Sequence, residues 1–116
     1  MESASDGCVI MTTTGDPEEA DRLAEGLVRQ GMAACVQVAA VSSCYVWEGK
    51  LERQSEQLLL IKTTAGQHAA VEAYLRRNHS YSVPEIAVLL MTGGSADYLA
   101  WLRQNSRGLP SEAAKP

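Results

Sequence analysis

The chain has 116 residues, a hydrophobic share of 46% and a formal net charge of −4. That length holds one domain around one core and not two. The ordinary apolar fraction excludes a wholly disordered chain, and the acidic balance argues against a broad nucleic-acid footprint.

The start, Met1-Glu2-Ser3-Ala4-Ser5-Asp6, has no basic segment followed by an apolar run, so it does not read as a secretory signal. No apolar stretch approaches the length of a transmembrane helix, and no membrane partner is expected. Cys8-Val9-Ile10-Met11, followed by Thr12-Thr13-Thr14, predicts a short buried strand ended by Gly15. Asp16-Pro17-Glu18-Glu19 predicts a helix start: Asp16 can cap, Pro17 suits the first helical position, and Glu19 stands where a capping box needs it. Ala20, Leu23, Ala24, Leu27 and Val28 then mark one face at helical spacing, and Gly31 is placed to close that helix.

Residues 34–64 read as one very long β-hairpin. Its first arm carries Val36, Val38, Val41, Tyr45, Val46 and Trp47, residue types that suit a pleated, half-buried surface. Its second arm ends in Leu58-Leu59-Leu60-Ile61, and between the arms Gly49 can take the positive φ of a tight reversal. At about 3.3 Å per residue each arm spans on the order of 40 Å, whereas a compact chain of this size has a radius of gyration of about 13 Å. Such a hairpin overshoots its own globule. Its far end, with Tyr45, Val46, Trp47 and Leu51, needs apolar cover, and the nearest source is another copy of the chain.

Thr64-Ala65-Gly66-Gln67 predicts a second helix opened by a capping box, with Val71, Tyr74 and Leu75 facing inward and Arg76 and Arg77 near its C-terminus. An irregular linker, His79-Ser80-Tyr81-Ser82-Val83-Pro84, leads to a fourth strand over 85–91. Ser95 caps a last helix whose expected buried stripe is Tyr98, Trp101 and Leu102. The order β-α-β-β-α-β plus a C-terminal helix predicts an α+β, ferredoxin-like βαββαβ sandwich, with the long hairpin between its second and third strands. The single domain is expected over 7–106, with loose termini at 1–6 and 107–116.

The fold hosts many functions, so the residues must decide. The first strand-helix junction, Thr12-Thr13-Thr14-Gly15, has neither the Cys-x-x-Cys of a metal chaperone nor the arginine of an acylphosphatase-like enzyme. The chain has no Phe and its central strands are aliphatic, which speaks against base stacking by an RNA-recognition module. No nucleophile-base pair and no paired carboxylates stand out, so no enzyme is expected. Cys8, Cys35 and Cys44 cannot all pair with one another; they read as small buried hydrophobes in a reduced, cytoplasmic protein. His68 reads as solvent-facing. His79, in the linker, reads either as a helix C-terminal residue or as a metal ligand. Lys62 at the close of the third strand and Glu85 at the opening of the fourth are expected to meet at one end of the sheet, with Trp47, His79 and Tyr81 converging there. Those five residues form the predicted cleft at a subunit boundary, suited to a small polar ligand. The competing reading makes Lys62 and Glu85 a structural ion pair and Trp47 an interface anchor.

Ala33-Ala34-Cys35, Tyr45-Val46-Trp47-Glu48-Gly49-Lys50-Leu51-Glu52, Ile61-Lys62-Thr63-Thr64, His79-Ser80-Tyr81-Ser82-Val83-Pro84-Glu85 and Asp97-Tyr98-Leu99-Ala100-Trp101-Leu102 together closely resemble the CutA family of divalent-cation tolerance proteins. The resemblance covers about 9–106 in order and spacing. It implies a ferredoxin-like subunit in a tight homotrimer with hairpin arms pairing between subunits, a response to metal ions, and a likeness to the PII signalling proteins. The last suggests an alternative role as a sensor that binds a small anionic ligand between subunits. Copper-binding members resemble one another in a thiol at the first strand-helix loop and adjacent histidines after the second helix. At the matching places this chain has Thr12 and Asn78-His79, which implies that Cu²⁺ or another divalent cation binds weakly.

Overall fold

The computed structural model describes residues 6–109. Strand β1 (Gly7–Thr14) leads into helix α1 (Pro17–Arg29), then β2 (Cys35–Trp47) and β3 (Lys50–Thr64). A 3-10 turn (Ala65–Gln67) precedes α2 (His68–Asn78), followed by β4 (Ala87–Leu90) and α3 (Ala96–Gln104). The four strands form one sheet in the order β2-β3-β1-β4, with every neighbouring pair antiparallel. This is the expected ferredoxin-like α+β arrangement. Among the described residues no helix is long and apolar enough to cross a membrane.

The core lies between one face of the sheet and the first two helices. Cys8 and Ile10 of β1 and Leu59 and Ile61 of β3 meet Ala20, Leu23 and Leu27 of α1 and Val71 and Leu75 of α2. The strand residues alternate, as a period of two requires, and the helix residues keep the spacing of one face. Asp16 caps α1 by accepting a hydrogen bond from the Glu18 N–H at 3.0 Å. Gly31, at φ +69°, turns the chain after that helix.

The hairpin has arms of 13 and 15 residues. Both central turn residues, Glu48 and Gly49, have positive φ, at 50° and 80°. That is the I′ geometry whose twist matches the flanking strands; the positive φ at Glu48 was not expected. β1 stops pairing at Thr14 opposite Gln57, so beyond that pair the hairpin has no third strand. The molecule measures 53 × 37 × 20 Å with a radius of gyration of 15.6 Å, larger than the compact expectation. Val46, Trp47 and Leu51 at the overhanging end are 66%, 58% and 65% exposed.

Several local expectations are corrected. No capping box opens the second helix: the Thr64 hydroxyl donates to the Ser106 carbonyl at 3.5 Å instead, and a 3-10 turn fills the first three positions. The fourth strand is shorter than 85–91, because only Ala87–Leu90 pair with β1. In α3 the buried residues are Leu99 and Leu102, while Tyr98 and Trp101 are partly exposed and stack at 6.0 Å. Leu99 and Leu102 stand outside the main core cluster, and Tyr98 lies near Cys35, its phenol pushed up first by burial and then by that neighbour. Cys35 alternates with core-facing Val36, so α3 covers the sheet face opposite α1 and α2. Cys8 is buried as expected, but Cys44 is exposed on the overhang. The loose termini expected at 1–6 and 107–116 fall largely outside the described residues. Asp6 and Gly108, which are described, bond to the domain: the Asp6 carbonyl accepts from Ala65 N–H at 2.6 Å, and Gly108 N–H donates to Gly31 at 2.8 Å.

Candidate functional site

The linker between α2 and β4 is held in place by a buried carboxylate. Glu19, 2% exposed in the first turn of α1, accepts hydrogen bonds from the Ser80 N–H at 2.6 Å and the Ser80 hydroxyl at 2.8 Å, and a short one from the Thr14 hydroxyl. Burial pushes its carboxyl pKa up, but the bonds from Thr14 and Ser80 and the nearby His79 outweigh burial and hold it below the usual value. Glu19 therefore does not return to its own helix start, as a capping box would have it.

His79 completes the lock. It ends α2 as the C-terminal cap, its N–H donating to the Leu75 carbonyl. Its side chain is fully buried and 4.0 Å from Glu19. Nε2 lies 2.7 Å from the Thr13 carbonyl, and Nδ1 accepts the Tyr81 N–H at 3.0 Å. One neutral tautomer satisfies both contacts, with Nε2 as donor. Both ring nitrogens are thus engaged, and the imidazole packs against Tyr81 with ring centroids 4.8 Å apart.

Above this lock a cleft of about 460 Å³ opens between the hairpin and the linker. Tyr45 and Trp47 of β2 and Gln54 and Glu56 of β3 form one wall, all on the same side of the hairpin by register. Tyr81, Val83 and Glu85 form the other, with Thr13 at the base. A hydrogen-bonded chain ties the walls together: the Tyr45 hydroxyl donates to Gln54, the Gln54 amide to the Tyr81 hydroxyl at 3.5 Å, and that hydroxyl to Glu56 at 2.8 Å. Burial first, then the Glu56 carboxylate, pushes the Tyr81 phenol up to about 12. It stays protonated across the physiological range and acts as a fixed donor.

Of the five residues expected to converge, Trp47, Tyr81 and Glu85 line this cleft and His79 supports it from beneath. Lys62 does not join them. β3 and β4 both run antiparallel to β1, so they are parallel to each other, and the end of β3 and the start of β4 point to opposite ends of the sheet. Val9 pairs with Lys62 and Leu89, whereas Glu85 precedes the Ala87 that pairs with Met11. Neither the cationic corner nor the Lys62–Glu85 ion pair forms. Sequence reasoning missed Glu19, Tyr45, Gln54 and Glu56; the period-two register of the hairpin could have placed the last three beside Trp47. Thr12 is not in a loop either: it lies in β1, fully buried, its hydroxyl without a hydrogen-bond partner. Among the described residues no group of three His, Cys, Asp or Glu side chains is arranged to hold a metal ion.

A ferredoxin-like sandwich with an overlong hairpin and a cleft beside it defines a small α+β domain. The chain belongs to the CutA family: the description "CutA1 divalent ion tolerance protein" matches residues 8–105. It is 43% identical over 103 residues to the divalent-cation tolerance protein CutA of Pectobacterium atrosepticum, covering 88% of this chain and 94% of that one. It is 39% identical over 100 residues to the chloroplastic CutA of Arabidopsis thaliana, covering 85% of this chain and 55% of that longer protein. The solved CutA of Synechococcus elongatus superposes with a TM-score of 0.86 at 37% identity, covering 89% of this chain and 92% of the other.

Proposed function

We propose that this divalent-cation tolerance protein works as a non-catalytic homotrimer in the cytoplasm, binding a ligand in the cleft of Trp47, Tyr81 and Glu85. The observation that carries the reading is the hairpin end: a strand pair that leaves its own sheet and carries bare Val46, Trp47 and Leu51 is built to be covered by another subunit. Trimer formation would close the cleft from the tip side, with His79 beneath it as support.

Divalent cations, Cu²⁺ included, bind weakly on this reading. His79 is the one linker imidazole and both its nitrogens are engaged, while Thr12 offers a buried hydroxyl in place of a thiolate. Calorimetric titration of the metal-free protein with Cu²⁺ at neutral pH is expected to give micromolar or weaker affinity that His79→Ala does not abolish. A nanomolar, stoichiometric site would overturn this. The second reading, a PII-like sensor signalling through a partner, draws support from the preformed cleft; its anionic ligand loses support because Lys62 lies elsewhere.

A further inference from the structure

The cleft has a chemical bias that narrows what it can hold. Three aromatic rings, Tyr45, Trp47 and Tyr81, and two carboxylates, Glu56 and Glu85, line it, and no lysine, arginine or histidine does. We propose that its ligand is a small organic cation, an alkyl-substituted ammonium, a conclusion that rests on reading this cleft as the ligand site. Electron-rich ring faces attract a cation at close range, and they attract it most where the site is partly desolvated. An ammonium with apolar substituents uses both the rings and the carboxylates.

The other ligand classes fit less well. An anion would face two carboxylates with no compensating positive group in the lining. A divalent metal would find Glu56 and Glu85 without a third ligating side chain, since no such group of three occurs among the described residues. A neutral apolar ligand would use the rings but neither carboxylate of the lining. The Tyr81 hydroxyl is committed to Glu56 at 2.8 Å, which fixes the ring in place rather than leaving it to rotate into the cleft. The volume, about 460 Å³, is within the range of small-molecule sites.

Charge is the quantity to test, so the probe is a pair of molecules alike in shape. Choline chloride and its neutral carbon isostere, 3,3-dimethyl-1-butanol, are titrated into the intact protein at constant ionic strength, with inorganic phosphate as the anionic arm. Trp101→Phe removes the other tryptophan and leaves Trp47 as the fluorescence reporter. Choline is expected to change Trp47 emission saturably and to bind about tenfold more tightly than the isostere. Glu85→Gln, at an exposed position that tolerates the change, is expected to erase that preference, and Trp47→Leu to abolish calorimetric binding of choline. Equal binding of choline and its isostere overturns the cation assignment while the cleft remains a ligand site, and so does saturable binding of phosphate alone. If none of the three probes binds, the proposal and the reading of the cleft fall together.

Discussion

Glu19 shows how one side chain can set a distant segment, since it holds the Ser80 backbone 61 residues further along. Without it, two hydroxyls and the Ser80 N–H lose their acceptor, and Glu19→Ala is expected to cost about 3 kcal/mol in urea unfolding. Its pH signature has a definite sign. The folded carboxyl titrates below its ordinary value of 4.5, so the unfolded chain takes up the proton first. The stabilisation is present above that value and is lost as pH falls through the lower, folded pKa. Glu19→Gln should therefore flatten the acid limb of stability against pH; an unchanged limb would remove Glu19 from that role. The sequence marks Glu19 as a capping-box residue at the helix start; it does stand in the first turn of α1, but its carboxylate bonds Ser80 and Thr14 instead of the N-cap. What it could not show is the return of the linker, a long-range contact with no sequence period.

At the scale of elements, the hairpin was legible because β-branched and aromatic residues mark the first arm, the apolar run Leu58-Leu59-Leu60-Ile61 ends the second, and Gly49 marks the reversal. Strand order was not legible to the same depth. Placing Lys62 beside Glu85 needs β3 and β4 to be neighbours running oppositely, but β1 lies between them and makes them parallel. In α3 two helical stripes overlap, and packing selected the aliphatic pair Leu99 and Leu102 over the larger aromatics. Val46 and Leu51 face each other across the hairpin and lie outside the main core. Charging both, as Val46→Glu with Leu51→Glu, is expected to dissociate the assembly in size-exclusion chromatography and leave the far-ultraviolet circular dichroism of the subunit intact. An assembly that elutes unchanged would mean that the tip is not an interface.

For the whole molecule, the 53 Å long axis against a 20 Å short one records a subunit whose sheet extends past its own core. That mismatch was readable from strand length alone, whereas the partner surface was not, because it depends on how copies meet. Stable assembly should bury well over about 2,000 Å² across its interfaces, with the hairpin end and the aromatic-acidic cleft drawn toward a neighbouring chain. Sedimentation equilibrium at low micromolar concentration tests this most directly: a single species of three times the chain mass is predicted, and a folded monomer at that concentration would contradict it.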